Sequence, residues 1–214
     1  LNNPQNGQVL SYNNNISKWQ NQNSTQSIDW CNVKTYGALG DNVADDYAAI
    51  AAAIAACPDG GTVYFPAGSY RVKQPLQVKS NITLRGVIGS RWTRYGGVPA
   101  AFIKPYFGSF TGNALVVANE VDGWQIVNLN LNGVNATNTS AGTIDGLLAT
   151  GACKGVRIDS VLFTNFSGYG VHTDSSSNGW AGGWEVSYIY LDTCHLGAWL
   201  SDNTAGQTYG WSDG

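Results

Sequence analysis

The stretch YGALGDNVADDYAAIAAAIAACPDGGTVYFPAGSY, residues 36–70, joins a loop containing Gly and Asp to an alanine-rich segment and then to a strand-like run. Asp45 or Asp46 stands where a helix N-cap is expected, because a carboxylate there accepts backbone N–H groups that the first helical turn leaves unpaired. Pro58 and the glycines that follow it stop the segment. The stretch therefore predicts a short helix over about residues 45–57, followed by strands.

The predicted helix carries one narrow apolar stripe with alanines on either side, made of Tyr47, Ile50, Ile54 and Cys57. Small residues beside such a stripe allow a helix to lie close and flat against an apolar surface. We therefore interpret Asp45 and Asp46 as the residues that start this helix, in preference to a catalytic acid pair.

From Thr62 onward the chain reads as short strands separated by turns, and a pattern of four apolar positions recurs. Successive positions are two, three and two residues apart, so the simple alternation of a strand is interrupted in the middle. The complete copies are Trp124, Ile126, Leu129 and Leu131; Val156, Ile158, Val161 and Phe163; and Trp184, Val186, Ile189 and Leu191. An incomplete copy consists of Ile82, Leu84 and Val87, with Gly89 in the fourth position.

A kink between the two pairs of apolar positions would keep all four side chains pointing inward on both sides of a corner. Coils of this kind stack about 4.8 Å apart with like side chains in register, which predicts an all-β parallel β-helix, a solenoid. The helix before the first coil is expected to cover strand edges that would otherwise invite aggregation. Residues 200–214 contain no comparable cap, so residues 31–214 are expected to be the N-terminal part of a longer solenoid, truncated before its C-terminal end.

Composition supports a β-rich fold and argues against several classes of partner. Charged residues make up 12% of the chain, about half the usual share, and glycine occurs 27 times. A net charge of −3 argues against nucleic acid as a binding partner, because its phosphates bind basic patches. No apolar run reaches about 18 residues, so no membrane span is predicted, and no signal peptide is recognised. The absence of methionine indicates a piece of a longer protein.

The cysteines and histidines do not show the spacing of a metal site. The four cysteines are Cys31, Cys57, Cys153 and Cys194, and we expect free and mostly buried thiols, with disulfides as the alternative. The two histidines, His172 and His195, have no partner spacing that suggests zinc. No metal and no cofactor are therefore expected.

Residues 1–30 differ from the rest of the chain because they are rich in Asn and Gln and have little periodic signal. Val9, Leu10 and Ile16 are compatible with a small hairpin around residues 13–15, with Trp19 as its anchor. We interpret this segment as a connector, and a loosely ordered terminus is an equally weighted alternative.

Residues 33–72, VKTYGALGDNVADDYAAIAAAIAACPDGGTVYFPAGSYRV, closely resemble the opening of the pectate-lyase-3 type of right-handed, single-stranded parallel β-helix. That family begins with a loop of form YGAxGDxxxDD, a helix of form AAIxxAI and a strand of form GGTVYFPAGxY. Asn42 and Tyr47 depart from the usual Gly and Thr, at positions in the loop and cap that leave the fold prediction intact. The resemblance implies the fold and its capping helix but says little about chemistry.

Residues 3–22, NPQNGQVLSYNNNISKWQNQ, resemble an element of form NPxxGQVLxYxxxxxKWxN found in tail and fibre proteins of bacteriophages. This resemblance implies a phage tailspike that binds and cleaves bacterial capsular or exopolysaccharide. Hydrolysis is preferred to elimination because a lyase would need clustered acids to hold calcium, and Asp41, Asp45 and Asp46 are assigned to the cap. The resemblance also implies a homotrimer in the virion, joined to the tail or baseplate through a segment before residue 1. The alternatives are a receptor-binding appendage without catalysis and a secreted cellular glucanase or pectinase.

Hydrolysis of a polysaccharide requires two carboxylates about 5–10 Å apart beside a sugar groove. Glu185 and Asp192 are the outward-facing acids that fit this role, although an Arg157–Glu185 surface ion pair and a turn-capping Asp192 are competing interpretations. Asp174 and His172 are interpreted as residues of a corner loop. The catalytic acids are also expected to lie downstream of residue 214 in the parent protein.

Aromatic faces stack on sugar rings, so exposed aromatic residues are candidates for carbohydrate binding. Trp92, Tyr95 and Trp180 are the main candidates, and Tyr106 lies in the same loop as the first two. The competing interpretation is that these side chains pack against the outside of the coil.

Overall fold

A computed structural model describes residues 8–13, 17–23, 29–87, 101–106, 108–134, 143–174, 182–194, 198–202 and 207–211. Within these ranges the chain is almost entirely β-structure, with a 3-10 helix at Val33–Tyr36 and an α-helix, α1, at Tyr47–Ala56. None of the helical segments in these ranges has both the length and the apolar character that a membrane span requires.

Three six-stranded sheets form the body of the molecule. The first sheet contains, in spatial order, β3 (Trp30–Asn32), β5 (Thr62–Phe65), β8 (Thr83–Gly86), β11 (Gln125–Val127), β14 (Arg157–Asp159) and β17 (Glu185–Ser187). The second contains β4 (Asp41–Asp45), β6 (Gly68–Val72), β9 (Ala101–Pro105), β12 (Asn130–Asn132), β15 (Leu162–Thr164) and β18 (Tyr190–Asp192). The third contains β7 (Leu76–Gln77), β10 (Ala114–Asn119), β13 (Asp145–Thr150), β16 (Val171–Asp174), β19 (Ala198–Asp202) and β20 (Gln207–Trp211).

The first sheet shows the stacking that the repeat predicts. Its strands pair in parallel, and one inward column crosses all six of them: Cys31, Val63, Leu84, Ile126, Ile158 and Val186. All members except Val186, which packs against the core, are buried. The predicted right-handed parallel β-helix is therefore confirmed.

In the second sheet, one position of the repeat differs from the prediction. Its inward column is Tyr70, Ile103, Leu131, Phe163 and Leu191. The place above Leu131 that the sequence pattern assigns to Gly89 is occupied by Ile103, because the insertion after Val87 falls inside this coil and not between coils. Gly89 itself lies outside the described residues.

The corner between the first and second sheets is a single residue with left-handed backbone geometry. Its φ angle is 55° at Asn128, 57° at Ser160 and 50° at Tyr188 in three successive coils. A left-handed residue reverses the side-chain alternation, so apolar side chains before and after it both face inward. This geometry explains the three-residue step in the middle of the repeat.

The interior is continuous from the first coil to the last complete one. Its largest fully buried side chains include Trp124, Phe65, Phe163 and Leu84. Each buried side chain of this size contributes about 1.5–3 kcal/mol to folding, so stacked apolar columns carry much of the stability. The expectation for the cysteines is confirmed: all four are free, three are buried and Cys194 is half-buried.

Helix α1 lies against the first coil as expected. Ile50, Ala53 and Ile54 are buried in the same core as Cys31 and Val33 of the first strand and the following 3-10 helix. Tyr47, at the start of the predicted stripe, is only partly buried. The helix therefore covers apolar side chains that the first coil would otherwise expose.

The two aspartates before α1 have different roles. Asp46 is the N-cap residue, but its carboxylate makes no bond to the helix. It is 2% exposed and accepts N–H groups from Leu39 at 2.7 Å and Gly40 at 3.1 Å, which holds the preceding loop in place. Burial raises the pKa of the Asp46 carboxyl, and these two N–H groups oppose the rise. The carboxylate that bonds to the helix is that of Asp45, which accepts the Tyr47 N–H at 3.1 Å.

Replacement of Asp46 by alanine is expected to lower the free energy of unfolding by about 1–3 kcal/mol, because two backbone N–H groups lose their acceptor. The matched variant Asp45→Ala is expected to cost about 0.5–1 kcal/mol, because it removes one exposed bond at the helix start and one weak surface ion pair with Lys73. Urea unfolding of both variants measures the difference. An equal or larger loss in Asp45→Ala would show that the loop bonds are unimportant.

The two ends of the chain depart from the coil. Strands β1 (Gln8–Asn13) and β2 (Lys18–Asn23) form the expected hairpin, with Tyr12 opposite Trp19. Trp19 is 56% exposed, and this exposure does not support the predicted role of Trp19 as the anchor of the segment. At the other end, β20 pairs antiparallel with β19, so the parallel coil predicted through residue 214 is not continued by Gln207–Trp211.

Candidate functional site

The outer face of the third sheet carries the candidate site. One outward column runs through Val117, Leu148 and His172, which pair across β10, β13 and β16. Asp174 lies two residues after His172 on the same strand and therefore on the same face. The prediction that His172 and Asp174 belong to a corner loop was wrong, because both are strand residues.

His172 on this face is bonded to Asp145, the first residue of β13. The Nδ1 atom of His172 is 2.7 Å from Oδ2 of Asp145. The other carboxylate oxygen of Asp145 accepts the backbone N–H of Tyr169 at 2.7 Å. Asp145 is 8% exposed, and the His172 side chain is 27% exposed, so the imidazole lies between the buried acid and solvent.

The local sequence is shaped to admit this pair. A Cβ at Gly168 would overlap Oδ1 of Asp145, so a side chain at this position would displace the carboxylate. Ser167 Oγ accepts the N–H of Ile144, which fixes the backbone just before Asp145. The Tyr169 ring packs on the His172 ring, with centroids 4.7 Å apart.

This arrangement is suited to proton transfer. A carboxylate bound to one imidazole nitrogen fixes the orientation and the tautomer of the ring. Among the common side chains, imidazole is the one best able to gain and lose a proton near neutral pH. Nε2, the nitrogen that Asp145 does not contact, is therefore the atom available for acid–base chemistry.

The acids selected from the sequence lie elsewhere. Glu185 is on β17 of the first sheet and is exposed, with its carboxylate 3.9 Å from Nε of Arg157. Arg157 also contacts Asp159 at 3.0 Å, so the competing ion-pair interpretation matches the contacts. Asp192 is exposed on β18 of the second sheet, in one column with Asn132 and Thr164. The structure does not bring Glu185 and Asp192 onto one face, and their catalytic role stays a prediction.

Of the aromatic residues considered for carbohydrate binding, the structure describes only Tyr106. Trp92, Tyr95 and Trp180 lie outside the described residues, so their role in carbohydrate binding stays a prediction. Tyr106 is described and packs against the outside of the coil, where Lys73 lies over its ring. Within the described ranges no group of three or more His, Cys, Asp or Glu residues is arranged to hold a metal ion.

The fold and the third-sheet site can now be compared with known proteins. The family model described as rhamnogalacturonase A/epimerase, pectate lyase-like, matches residues 30–198. The chain belongs to this family. The match covers the capping helix, the stacked coils and the candidate site, and it leaves the N-terminal hairpin outside. The assignment of residues 1–30 as a connector stays a prediction.

Relatives of this pectate lyase-like chain come from bacteria and from phages. Mannuronan C5-epimerase AlgE5 of Azotobacter vinelandii is 38% identical over 158 residues, which cover 65% of this chain and 15% of the epimerase. The pre-neck appendage protein of Bacillus phage B103 is 33% identical over 144 residues, covering 65% of this chain and 16% of the phage protein. The chain thus spans only about a sixth of the length of these two relatives.

Solved structures agree on the fold. The A-module of the mannuronan C-5 epimerase AlgE4 from Azotobacter vinelandii has a TM-score of 0.53 and 27% identity, over 77% of this chain and 50% of the module. ORF18 of Geobacillus virus E2 has a TM-score of 0.54 and 19% identity, over 87% of this chain and 45% of the viral chain. At 19% identity, the second likeness concerns the fold alone.

Proposed function

We propose that the parent protein is a phage tail appendage that binds and depolymerises bacterial surface polysaccharide, with His172 and Asp145 at its reactive site. The observation that carries this proposal is the hydrogen bond between the buried carboxylate of Asp145 and His172, a residue of the outer face of a parallel β-helix. The names of the relatives support it, since they include polysaccharide-modifying enzymes and a phage appendage protein. Assembly as a homotrimer in the virion belongs to the same proposal.

Hydrolysis of a glycosidic bond requires an acid for the leaving oxygen and a base for the attacking water. Protonated His172, held by Asp145, donates from Nε2 to the leaving oxygen, and the proton remains on the released hydroxyl. Asp174 lies two residues along the same face, a backbone separation of about 7 Å, which leaves room for a water molecule between acid and base. Asp174 accepts the proton of that water as its oxygen attacks the anomeric carbon.

The test is to incubate the chain with purified capsular and exopolysaccharides and to follow new reducing ends together with the ultraviolet absorbance of unsaturated sugars. New reducing ends without unsaturated products are the expected result. Unsaturated products would show that the reaction is an elimination and not a hydrolysis, with His172 as the base that removes a ring proton. Binding without any product would support the non-catalytic receptor-binding appendage instead.

A further inference from the structure

The outer face of the second sheet carries a group of cations and aromatic rings that the proposed reaction does not use. We call it the basic–aromatic patch, and it consists of Arg71, Lys73, Phe102, Lys104 and Tyr106. Arg71 of β6 is paired with Lys104 of β9, so the two cations are cross-strand neighbours. Phe102 and Lys104 are two residues apart on one strand and share this face.

The aromatic rings hold the cations of the patch in place. Lys73 Nζ lies 4.8 Å and Arg71 Cζ 5.8 Å from the centre of the Tyr106 ring. Lys104 Nζ lies 5.3 Å from the centre of the Phe102 ring. A ring attracts a cation without cancelling its charge, whereas a carboxylate partner would neutralise it. The positive charges are therefore positioned and still available.

Acids in contact with the patch are few. Asp45 of β4 is the cross-strand partner of Arg71, and its carboxylate lies 3.8 Å from Lys73. The charge of Asp41 also acts on Arg71 without forming an ion pair. Arg71 Nε donates to the amide oxygen of Asn42 at 3.2 Å. Within the described residues, neither Arg71 nor Lys104 has a carboxylate at ion-pair distance. Burial lowers the pKa of Lys104, and the neighbouring Arg71 lowers it further, so like charges are held together without a full counter-charge.

The patch contrasts with the chain as a whole, which has 14 acidic and 11 basic residues. Three of those basic residues meet on one face of two neighbouring strands. From Phe102 to Tyr106 the patch extends about 13 Å along the strand direction, so an extended polymer can meet several of its groups at once. An anionic ligand would supply the missing counter-charge.

The geometry points to a second polysaccharide-binding surface, in which Arg71, Lys73 and Lys104 bind the carboxylates of an acidic polysaccharide. This inference rests on the proposed function, and it places polymer binding on the second sheet, apart from the reactive groups on the third. A polysaccharide is favoured over nucleic acid because three cations on a chain of net charge −3 are few for a ligand that carries a phosphate at every nucleotide.

The test measures binding of the full chain to polygalacturonate at low and high salt, with dextran as the uncharged control. We expect binding to polygalacturonate alone, weakened by salt because the contacts are ionic. Lys104→Gln and Lys73→Gln are each expected to weaken binding by about tenfold, since each removes one charge-assisted contact. Lys34→Gln removes one positive charge from the 3-10 helix, which is not part of the patch, and is expected to bind like the wild type.

Lys73 is exposed, so its variant tests the patch even if Lys104→Gln unfolds. Equal binding by all three variants and the wild type would overturn the inference, as would equal binding to dextran or tighter binding to single-stranded DNA. The two proposals fail separately. If the chain forms product but the patch variants bind polygalacturonate like the wild type, this inference alone is refuted. If the patch variants bind more weakly but the chain forms no product, the proposed reaction alone is refuted.

Discussion

Replacing His172 by glutamine is expected to slow polysaccharide cleavage by about 10²–10⁴-fold, the usual contribution of a positioned acid–base group. Glutamine keeps a polar group near Asp145 but cannot transfer a proton at the position of Nε2. The carboxylate of Asp145 would lose an imidazole partner at 2.7 Å, although its bond to the Tyr169 N–H remains. The stability change is therefore expected to stay within about 1 kcal/mol. Initial rates of product formation and a urea unfolding curve measure the two effects.

The control for this experiment is Glu185→Gln, because Glu185 is the acid that the sequence pattern favours. Its contact with Arg157 at 3.9 Å is exposed, and such ion pairs contribute about 0–1 kcal/mol. We expect this variant to keep both its activity and its stability. A large rate loss in Glu185→Gln with an active His172→Gln would move the reactive site to the first sheet and refute the assignment made from the geometry.

Replacing Ile158 by alanine is expected to lower the free energy of unfolding by about 2–5 kcal/mol. Ile158 is completely buried and lies between Ile126 in the coil before it and Val186 in the coil after it. Close-packed neighbours on both sides cannot collapse fully into the space that three lost carbons leave, so a cavity adds to the lost burial. The shift of the urea midpoint measures the loss.

The matched control is Gln125→Ala on β11, one residue before Ile126 and on the outer face of the same sheet. An outward side chain without a special role contributes within about 0.5 kcal/mol. If Gln125→Ala cost as much as Ile158→Ala, the inward and outward faces of the first sheet would have been assigned wrongly. A loss below about 1 kcal/mol in Ile158→Ala would also contradict the stacked interior.

Most of the fold could be predicted from the sequence because its signals are local. The apolar stripe before Cys57 gives α1 to within about two residues at each end, and the repeated apolar positions give the register of the first sheet. The three-residue step in the repeat marks the corner, where a left-handed residue such as Asn128 turns the chain. The position of Ile103 above Leu131 could not be predicted, because an insertion separates it from the rest of its coil.

The site was much harder to predict. The sequence pattern predicts a corner loop for His172 and Asp174, which the structure places on a strand, and nothing local marks Asp145, the carboxylate that contacts His172. One coil at this sheet is 24 residues, as between Leu148 and His172, so the 27-residue spacing of Asp145 and His172 does not follow the repeat and gave no signal. Gly168 was a weak signal, because a Cβ at this position would overlap the carboxylate of Asp145.

The sequence by itself determined the type of coil, its capping helix and the side chains that face its interior. Those properties follow from the spacing of apolar residues along the chain, and each coil repeats them. Only the tertiary structure decided which polar residues meet, because outward side chains from different coils come together through stacking and not through sequence. Arg71 and Lys104 are neighbours because parallel pairing places one coil directly over the next. Asp145 and His172 lie on adjacent coils but three residues out of register, since His172 pairs with Leu148, and their side chains bridge that gap.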